Sequence, residues 1–303
     1  MVMPVSFGIK TSQMGLSYPD ILRVWREADG IGLFEHAWLW DLMVPLRGDV
    51  RGAALEAWTL LAALAAQTQR LRLGVIVTSN RLRPPAVLAK MAATVDVISG
   101  GRLVFGIGAG GAQIPGAPDE LMHIVHREFG GYGIPVVPAA EAGHALGEAC
   151  ALIRRMWAED DPFDFAGRYY QLRGAICEPK PVQRPHPPVL IGAGGEQITL
   201  RVVAEHANVW NCPARDAAEF RRKSRVLDEH CAAIGRDPAE ITRSMQVIVR
   251  RDDPAAARGL LLELIEAGVT HLVLAPALPW PDTPARWLAD EVAGPVAAEA
   301  AIA

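Results

Sequence analysis

Eight short apolar, β-rich runs alternate with longer amphipathic stretches, and that alternation most constrains what the chain folds into. The runs are Val5–Lys10, Leu33–Trp40, Leu71–Thr78, Arg102–Gly108, Pro188–Ala193, Asn208–Cys212, Thr242–Arg250 and His271–Ala275. Between them, apolar residues recur with a helical period over Tyr18–Gly30, Leu55–Gln67, Ala86–Ile98, Ala142–Trp157, Gln197–His206, Ala217–Ile234 and Ala255–Ala267. Strands separated by helix-length segments pair in parallel, with the helices as crossovers. Eight such units within 303 residues favour an α/β fold closed as a (β/α)8 TIM barrel over an open doubly wound sheet. No linker or internal repeat divides the chain, so residues 1–303 read as one domain. Gln113–Ala140 breaks the pattern. It is rich in Gly and Pro without a clean period, so an insertion or lid is expected at about residues 112–140, after the fourth strand.

Charge and cysteine usage narrow the class. A formal net charge of -4 with scattered Lys and Arg offers no basic face to nucleic acid. Cys150, Cys177, Cys212 and Cys231 contain no CxxC pair, so neither a zinc site nor a disulfide framework is indicated, and reduced thiols in a cytoplasmic protein are expected. The opening MVMPVSFGIK lacks the pattern of a secretory signal. The longest apolar stretch, Ala57–Ala66, is half the roughly 20 residues of a membrane span, so no membrane partner is expected.

Functional groups of such a barrel gather where strands end. Gly106, Gly108 and Gly111 satisfy GxGxxG by letter, yet a dinucleotide fingerprint needs a helix at the turn, and Pro115 and Pro118 follow instead. These glycines let a planar ring lie against backbone, or simply make a tight turn. IGAGGE at Ile191–Glu196 directly precedes a helical pattern, the context in which unpaired N–H groups attract a phosphate; a sharp strand-to-helix turn is the plainer reading. Thr78 and Asn80, with Arg81 and Arg83, could bond a ring edge or cap the following helix. Trp38, Trp40 and Asp41 at the second strand end suit a substrate pocket walled by indoles, although Trp38 and Trp40 also suit a core. His123 and His126 form an HxxH without a third ligand, so no metal site is expected. The absence of a GxSxG elbow argues against a hydrolase.

Several ordered blocks carry a family resemblance. LEAWTLLAALAAQTQRLRLGVIVTSNRLRPPAVLAKMAATVDVISGGRLVFGIGAG, HREFGGYGIP, FAGRYYQLRGAICEPKPVQRPHPPVLIGAGGE and VAEHANVWN, in that order, resemble the luciferase-like, F420-dependent oxidoreductases over roughly residues 5–275. The resemblance implies a barrel with insertions that binds coenzyme F420, or alternatively reduced FMN, at the C-terminal ends of its strands. It places Asp41 at an acidic second-strand position and makes it the one candidate for a catalytic role. It places Thr78 and Asn80 on the third strand, with a non-proline cis peptide near Val75–Ile76. It assigns Ala109, Gly110 and Gly111 to a fourth-strand loop, and Gly192, Ala193, Gly194 and Gly195 to a phosphate loop.

Two positions depart from the pattern: Leu42 stands where many F420-dependent members have histidine, and Gly111 where the sugar-phosphate dehydrogenases have a catalytic glutamate. The expected reaction is therefore hydride transfer between a deazaflavin and a small organic substrate other than a sugar phosphate. The FMN alternative is a monooxygenase needing a separate flavin reductase, and a non-catalytic ligand-binding barrel is a third reading. A homodimer is expected because related barrels commonly pair. Substrate choice would lie with Gln113–Ala140 and Trp280–Trp287.

Overall fold

The computed structural model describes residues 5–46, 48–113 and 116–301, which leaves Pro115 outside the described residues. Its elements begin with β1 (Ser6–Thr11), α1 (Tyr18–Asp29), β2 (Phe34–Leu39), α2 (Ala57–Ala65), β3 (Arg72–Val75), β4 (Thr78–Ser79), α3 (Pro85–Ser99) and β5 (Phe105–Gly108). An intervening segment holds β6 (Ala112–Gln113), α4 (Asp119–Gly131), β7 (Val137–Pro138), α5 (Ala139–Ala158), β8 (Phe163–Ala166) and β9 (Gln171–Ala175). The alternation then resumes with β10 (Val189–Gly192), α6 (Thr199–His206), β11 (Val209–Asn211), α7 (Ala217–Ala233), β12 (Thr242–Val249), α8 (Pro254–Glu266) and β13 (His271–Pro276). The chain ends in α9 (Pro284–Leu288), a π-helical turn and α10 (Gly294–Ala300).

Nine strands form one parallel sheet in the order β3-β2-β1-β13-β12-β11-β10-β5-β4. The sheet curls until its ends meet: Leu73 N donates to Arg102 O at 3.0 Å and Val104 N to Leu73 O at 2.8 Å. All eight expected strands are present. The third is split into β3 and β4 by a cis peptide between Ile76 and Val77, one residue beyond the expected Val75–Ile76.

Local sequence sets the helix starts. Ser17 and Asp20 form a capping box on α1, while Asp216 and Asp253 accept from the third residue of α7 and α8. The helices bury their apolar faces against the outside of the barrel in the main core. Inside, inward side chains alternate with outward ones. One side of the interior is apolar, with Trp38, Ile76, Val104, Leu190 and Val273 in contact. The other is polar, built from His36, Asn211, Ser244, Gln246, His271 and Lys10. Gly8 and Gly74 accommodate two of these rings: a Cβ on Gly8 would overlap the His36 imidazole, and one on Gly74 would lie 2.7 Å from Trp38 Cζ3.

The insertion is more regular than its composition implies. Asp119–Gly131 is helical although Pro118 precedes it and Gly130 and Gly131 close it. Pro118 sits at the N-cap, where its missing N–H costs nothing, and Asp119 and Glu120 complement the dipole of the first turn. Only Glu128 and Phe129 of this helix are buried, so its apolar period is weak. No helix among the described residues is long and apolar enough to cross a membrane. The four cysteines are buried and free, and burial pushes the Cys150 thiol up to about 12.

Candidate active site at the barrel mouth

A cavity of about 460 Å³ opens at the C-terminal ends of the strands, lined by Lys10, Trp40, Asp41, Leu42, Leu46, Ile76, Val77, Glu128, Gln246, Ile248 and Ala275. A second hollow of about 470 Å³ lies beyond β4, among Asn80, Arg81, Arg83, Glu141, Tyr169 and Tyr170. Both touch the β4 rim, where chemistry in such barrels gathers.

Asp41 lies between them with its side chain only 2% exposed. Its Oδ2 accepts from Thr78 Oγ1 at 2.6 Å, Ser79 N at 2.9 Å and Arg83 Nη1 at 3.0 Å, and its Oδ1 accepts from Arg83 Nη2 at 3.0 Å. Arg83 also pairs with Glu56, and the two carboxylates raise its pKa against the opposing effect of burial. Four donors occupy the Asp41 carboxylate, which therefore fixes β4 and the Arg83 loop rather than taking a substrate proton. Thr78 is fully buried and accepts from Trp58 Nε1 at 3.1 Å. Trp38, expected as a pocket wall, is fully buried in the barrel interior and donates to His36 Nδ1 at 2.6 Å. Trp40, two residues on, reaches the cavity.

The glycine runs are explained largely by close packing around β4. A Cβ on Gly106 would overlap Val75 O, those on Gly108 and Gly192 would meet Val77 Cγ2 at 2.8 Å, and one on Gly110 would overlap Ser79. Gly111 has φ +55, and a Cβ there would lie 2.6 Å from the Phe129 ring, so an acidic side chain at this position is excluded by α4. Val75 is buried in the main core, Ile76 faces the cavity and Ala109 is half-buried. After Gly111 comes a short strand, not a helix, which removes the dinucleotide reading of GxGxxG.

The loop Gly192–Ala193–Gly194–Gly195 leads into α6, whose start has no side-chain cap. It is pinned from below by α7: Lys223 Nζ donates to Gly194 O at 3.0 Å and pairs with Glu219 at 3.2 Å, and His230 Nε2 lies 2.7 Å from Glu196 O. Its Arg215 and Lys223 partners hold the Glu219 carboxyl down to about 2. A Cβ on Gly194 would press on Pro213 at 2.8 Å. The bare face of this glycine thus faces protein, and two of the loop's N–H groups are used internally, Ala193 N donating to Asn211 O at 3.2 Å and Gly195 N to Thr199 Oγ1 at 3.0 Å.

Sequence reading missed Lys10, Gln246 and Glu128. Lys10 is 4% exposed, and burial lowers its ammonium from 10.5 to about 7. Its Nζ donates to Gln246 Oε1 at 2.5 Å and lies 3.4 Å from the Trp40 ring centroid. Glu128, from the insertion helix, accepts from Met43 N at 2.9 Å, and burial is the largest cause raising its pKa. His123 and His126 do share a helix, yet no cluster of three metal-ligating residues exists among the described residues.

A family model described as luciferase-like monooxygenase matches residues 1–299. The chain belongs to this family. An F420-dependent glucose-6-phosphate dehydrogenase of Kineococcus radiotolerans is 29% identical over 258 residues, covering 84% of this chain and 71% of that enzyme. An uncharacterized protein of Mycobacterium tuberculosis is 32% identical over 183 residues, 60% of this chain; the match spans 58% of the relative's length. The solved structure of an F420-dependent secondary alcohol dehydrogenase in complex with an F420-acetone adduct has a TM-score of 0.79, covers 97% of this chain and 99% of that one, and is 17% identical. That likeness establishes the shared luciferase-like barrel.

Proposed function

We propose that this protein is an F420-dependent oxidoreductase that transfers a hydride between the deazaflavin and a small organic substrate held in the mouth cavity. The observation that carries the reading is at Asn80. Its Nδ2 donates to Tyr170 Oη at 2.9 Å and its backbone N donates to Gly108 O, but its buried Oδ1 has no partner among the described residues. A buried carbonyl oxygen left unpaired costs about 1–3 kcal/mol, and a ligand N–H or O–H brought to the β4 rim removes that cost. Coenzyme F420 fits this rim: the Gly194 N–H and the uncapped α6 start offer donors to its phosphate, while Ala193 N and Gly195 N are held by Asn211 O and Thr199 Oγ1. Asn80 lines the hollow beyond β4, and Asp41 holds this rim in shape through Thr78, Ser79 and Arg83. When bound, the deazaflavin supplies two-electron hydride chemistry. The protein's part is to orient the substrate against Trp40, Leu42, Leu46 and Ile248 and to exclude water from the cavity.

The relatives with F420 in their names support the cofactor, and the departures at Leu42 and Gly111 turn the substrate away from sugar phosphates. Fluorescence titration with F420 and with reduced FMN tests the reading. Wild type is expected to bind F420 the more tightly, and Asn80→Ala to weaken that binding roughly 10-fold, the worth of one hydrogen bond at a buried site. Preference for reduced FMN would transfer the assignment to a two-component monooxygenase with a reductase partner.

A further inference from the structure

The polar side of the barrel interior is a single chain of hydrogen bonds that ends in an amine. Ser244 Oγ lies 2.8 Å from His271 Nδ1, Asn211 Nδ2 donates to Ser244 Oγ at 3.0 Å, Gln246 Nε2 donates to Asn211 Oδ1 at 2.7 Å, and Lys10 Nζ donates to Gln246 Oε1. The direction of the upper part is fixed by chemistry. Gln246 gives its N–H to Asn211 and so presents its oxygen to Lys10, whose amine has a hydrogen to donate in either charge state. The Trp40 ring covers a second side of Nζ. The remaining N–H, or the lone pair of the neutral amine, is left for the cavity that Lys10 lines.

A buried lysine retained for structure is ordinarily ion-paired. Among the described residues, no carboxylate pairs with Lys10. The two cavity carboxyls are engaged elsewhere, Asp41 with Arg83 and Glu128 with Met43 N. The neighbours that bear on its charge are therefore neutral Gln246 and Trp40, Asp41 in its ion pair with Arg83, and Glu128 with its raised pKa. His271, at the foot of the chain, is kept neutral by burial.

We propose that Lys10 donates the proton to the oxygen of a small ketone bound in the mouth cavity and, in the reverse direction, removes it from the corresponding secondary alcohol. The proposal rests on the hydride-transfer reading above. In reduction, the carbonyl carbon gains a hydride whose source is the reduced deazaflavin, and the C=O π pair moves onto oxygen. The oxygen takes a proton from the Lys10 ammonium, and the N–H pair stays on nitrogen. Oxidised deazaflavin and one proton released to water complete the balance, and Lys10 recovers a proton from water. A ketone suits this site because negative charge grows on its oxygen next to a buried cation. A cationic imine would be repelled by the same ammonium, and the apolar walls Trp40, Leu42, Leu46, Ile248 and Ala275 suit an uncharged substrate.

The chain contains four lysines, Lys10, Lys90, Lys180 and Lys223. Protein labelled with 13C at lysine Cε therefore gives four signals, and Lys10→Arg identifies one by its absence. That signal is expected to titrate near pH 7 and to shift when cyclohexanone is added. F420 titrations of Lys10→Arg and Lys10→Met are expected to match wild type. Cyclohexanone reduction is expected to fall about 100-fold in both variants, the scale of a lost general acid, with arginine giving no rescue. Titration of Lys10 in the ordinary lysine range near 10.4, or undiminished turnover with an unchanged pH profile in Lys10→Arg, overturns the proposal. Wild-type protein that binds no F420 overturns the hydride-transfer reading first and this step with it, an outcome separable from the NMR result.

Discussion

Arg83 grips Asp41 with both terminal nitrogens, each 3.0 Å from a different carboxylate oxygen, in side chains only 11% and 2% exposed. A bidentate pair this well buried fixes geometry more than it adds stability, but removing one partner strands a charge. Asp41→Ala and Arg83→Ala are each expected to cost about 3–5 kcal/mol in urea unfolding. The double variant is expected to cost clearly less than the sum. Additive losses would show that the two residues act independently.

His36 and His271 stack at 3.9 Å between ring centroids inside the barrel. Burial lowers both pKa values, His271 from 6.5 to about 4. The folded state holds these rings neutral, while the unfolded chain takes up protons below about pH 6.5. The contribution of these two rings is therefore full above pH 6.5 and is lost as pH drops toward 4, with His271 alone accounting for about 3 kcal/mol across the window. Denaturant midpoints measured from pH 7.5 to 4 are expected to show this slope, and His271→Gln to flatten it. A variant as acid-sensitive as wild type would assign the slope to other groups.

The barrel was legible because it is written in alternation, and every expected strand lies within three residues of its observed bounds, the third being split in two. What lies inside the barrel was not. Lys10 ends an apolar run as a solvent-facing lysine would, and only closure of β1 between β2 and β13 turns it inward. Trp38 and Trp40 read alike in sequence. The first sits within β2 and fills the interior, while the second lies just past Leu39 and walls the cavity. The glycine runs promised room for a ring, yet much of that room is taken by Val77, Ser79 and Phe129. Glu128 was hidden because Pro118 and Gly130–Gly131 obscured the helix that carries it.

Gly74 offers a direct check on interior packing. A Cβ there would press on Val104 O and on Trp38 Cζ3 at 2.7 Å, and the backbone carbonyl has nowhere to go. Gly74→Ala is expected to lose about 1–3 kcal/mol through overpacking. Gly259, inside α8 with open space around it, serves as the control, and Gly259→Ala is expected to gain about 0.5–1 kcal/mol. Paired thermal melts that move in the same direction would contradict the close approach of Trp38 to β3.

Lys10 itself predicts an unusual alkaline profile. Its folded pKa is about 7 against 10.5 for the free side chain, with loss of hydration as the cause. Between those values the unfolded chain binds the extra proton, so this group makes stability rise with pH from about 7 to 10.5. Below pH 7 the folded protein bears the full cost of a buried ammonium, on the order of 4–5 kcal/mol from a shift of this size. Lys10→Met, one atom shorter, which keeps the unbranched shape of the side chain and deletes the charge, is expected to be more stable than wild type at pH 6. The advantage should shrink steadily toward pH 10. Chemical unfolding of both proteins at those two pH values measures the difference, and a methionine variant no more stable than wild type at pH 6 would mean that the ammonium is solvated in the folded state.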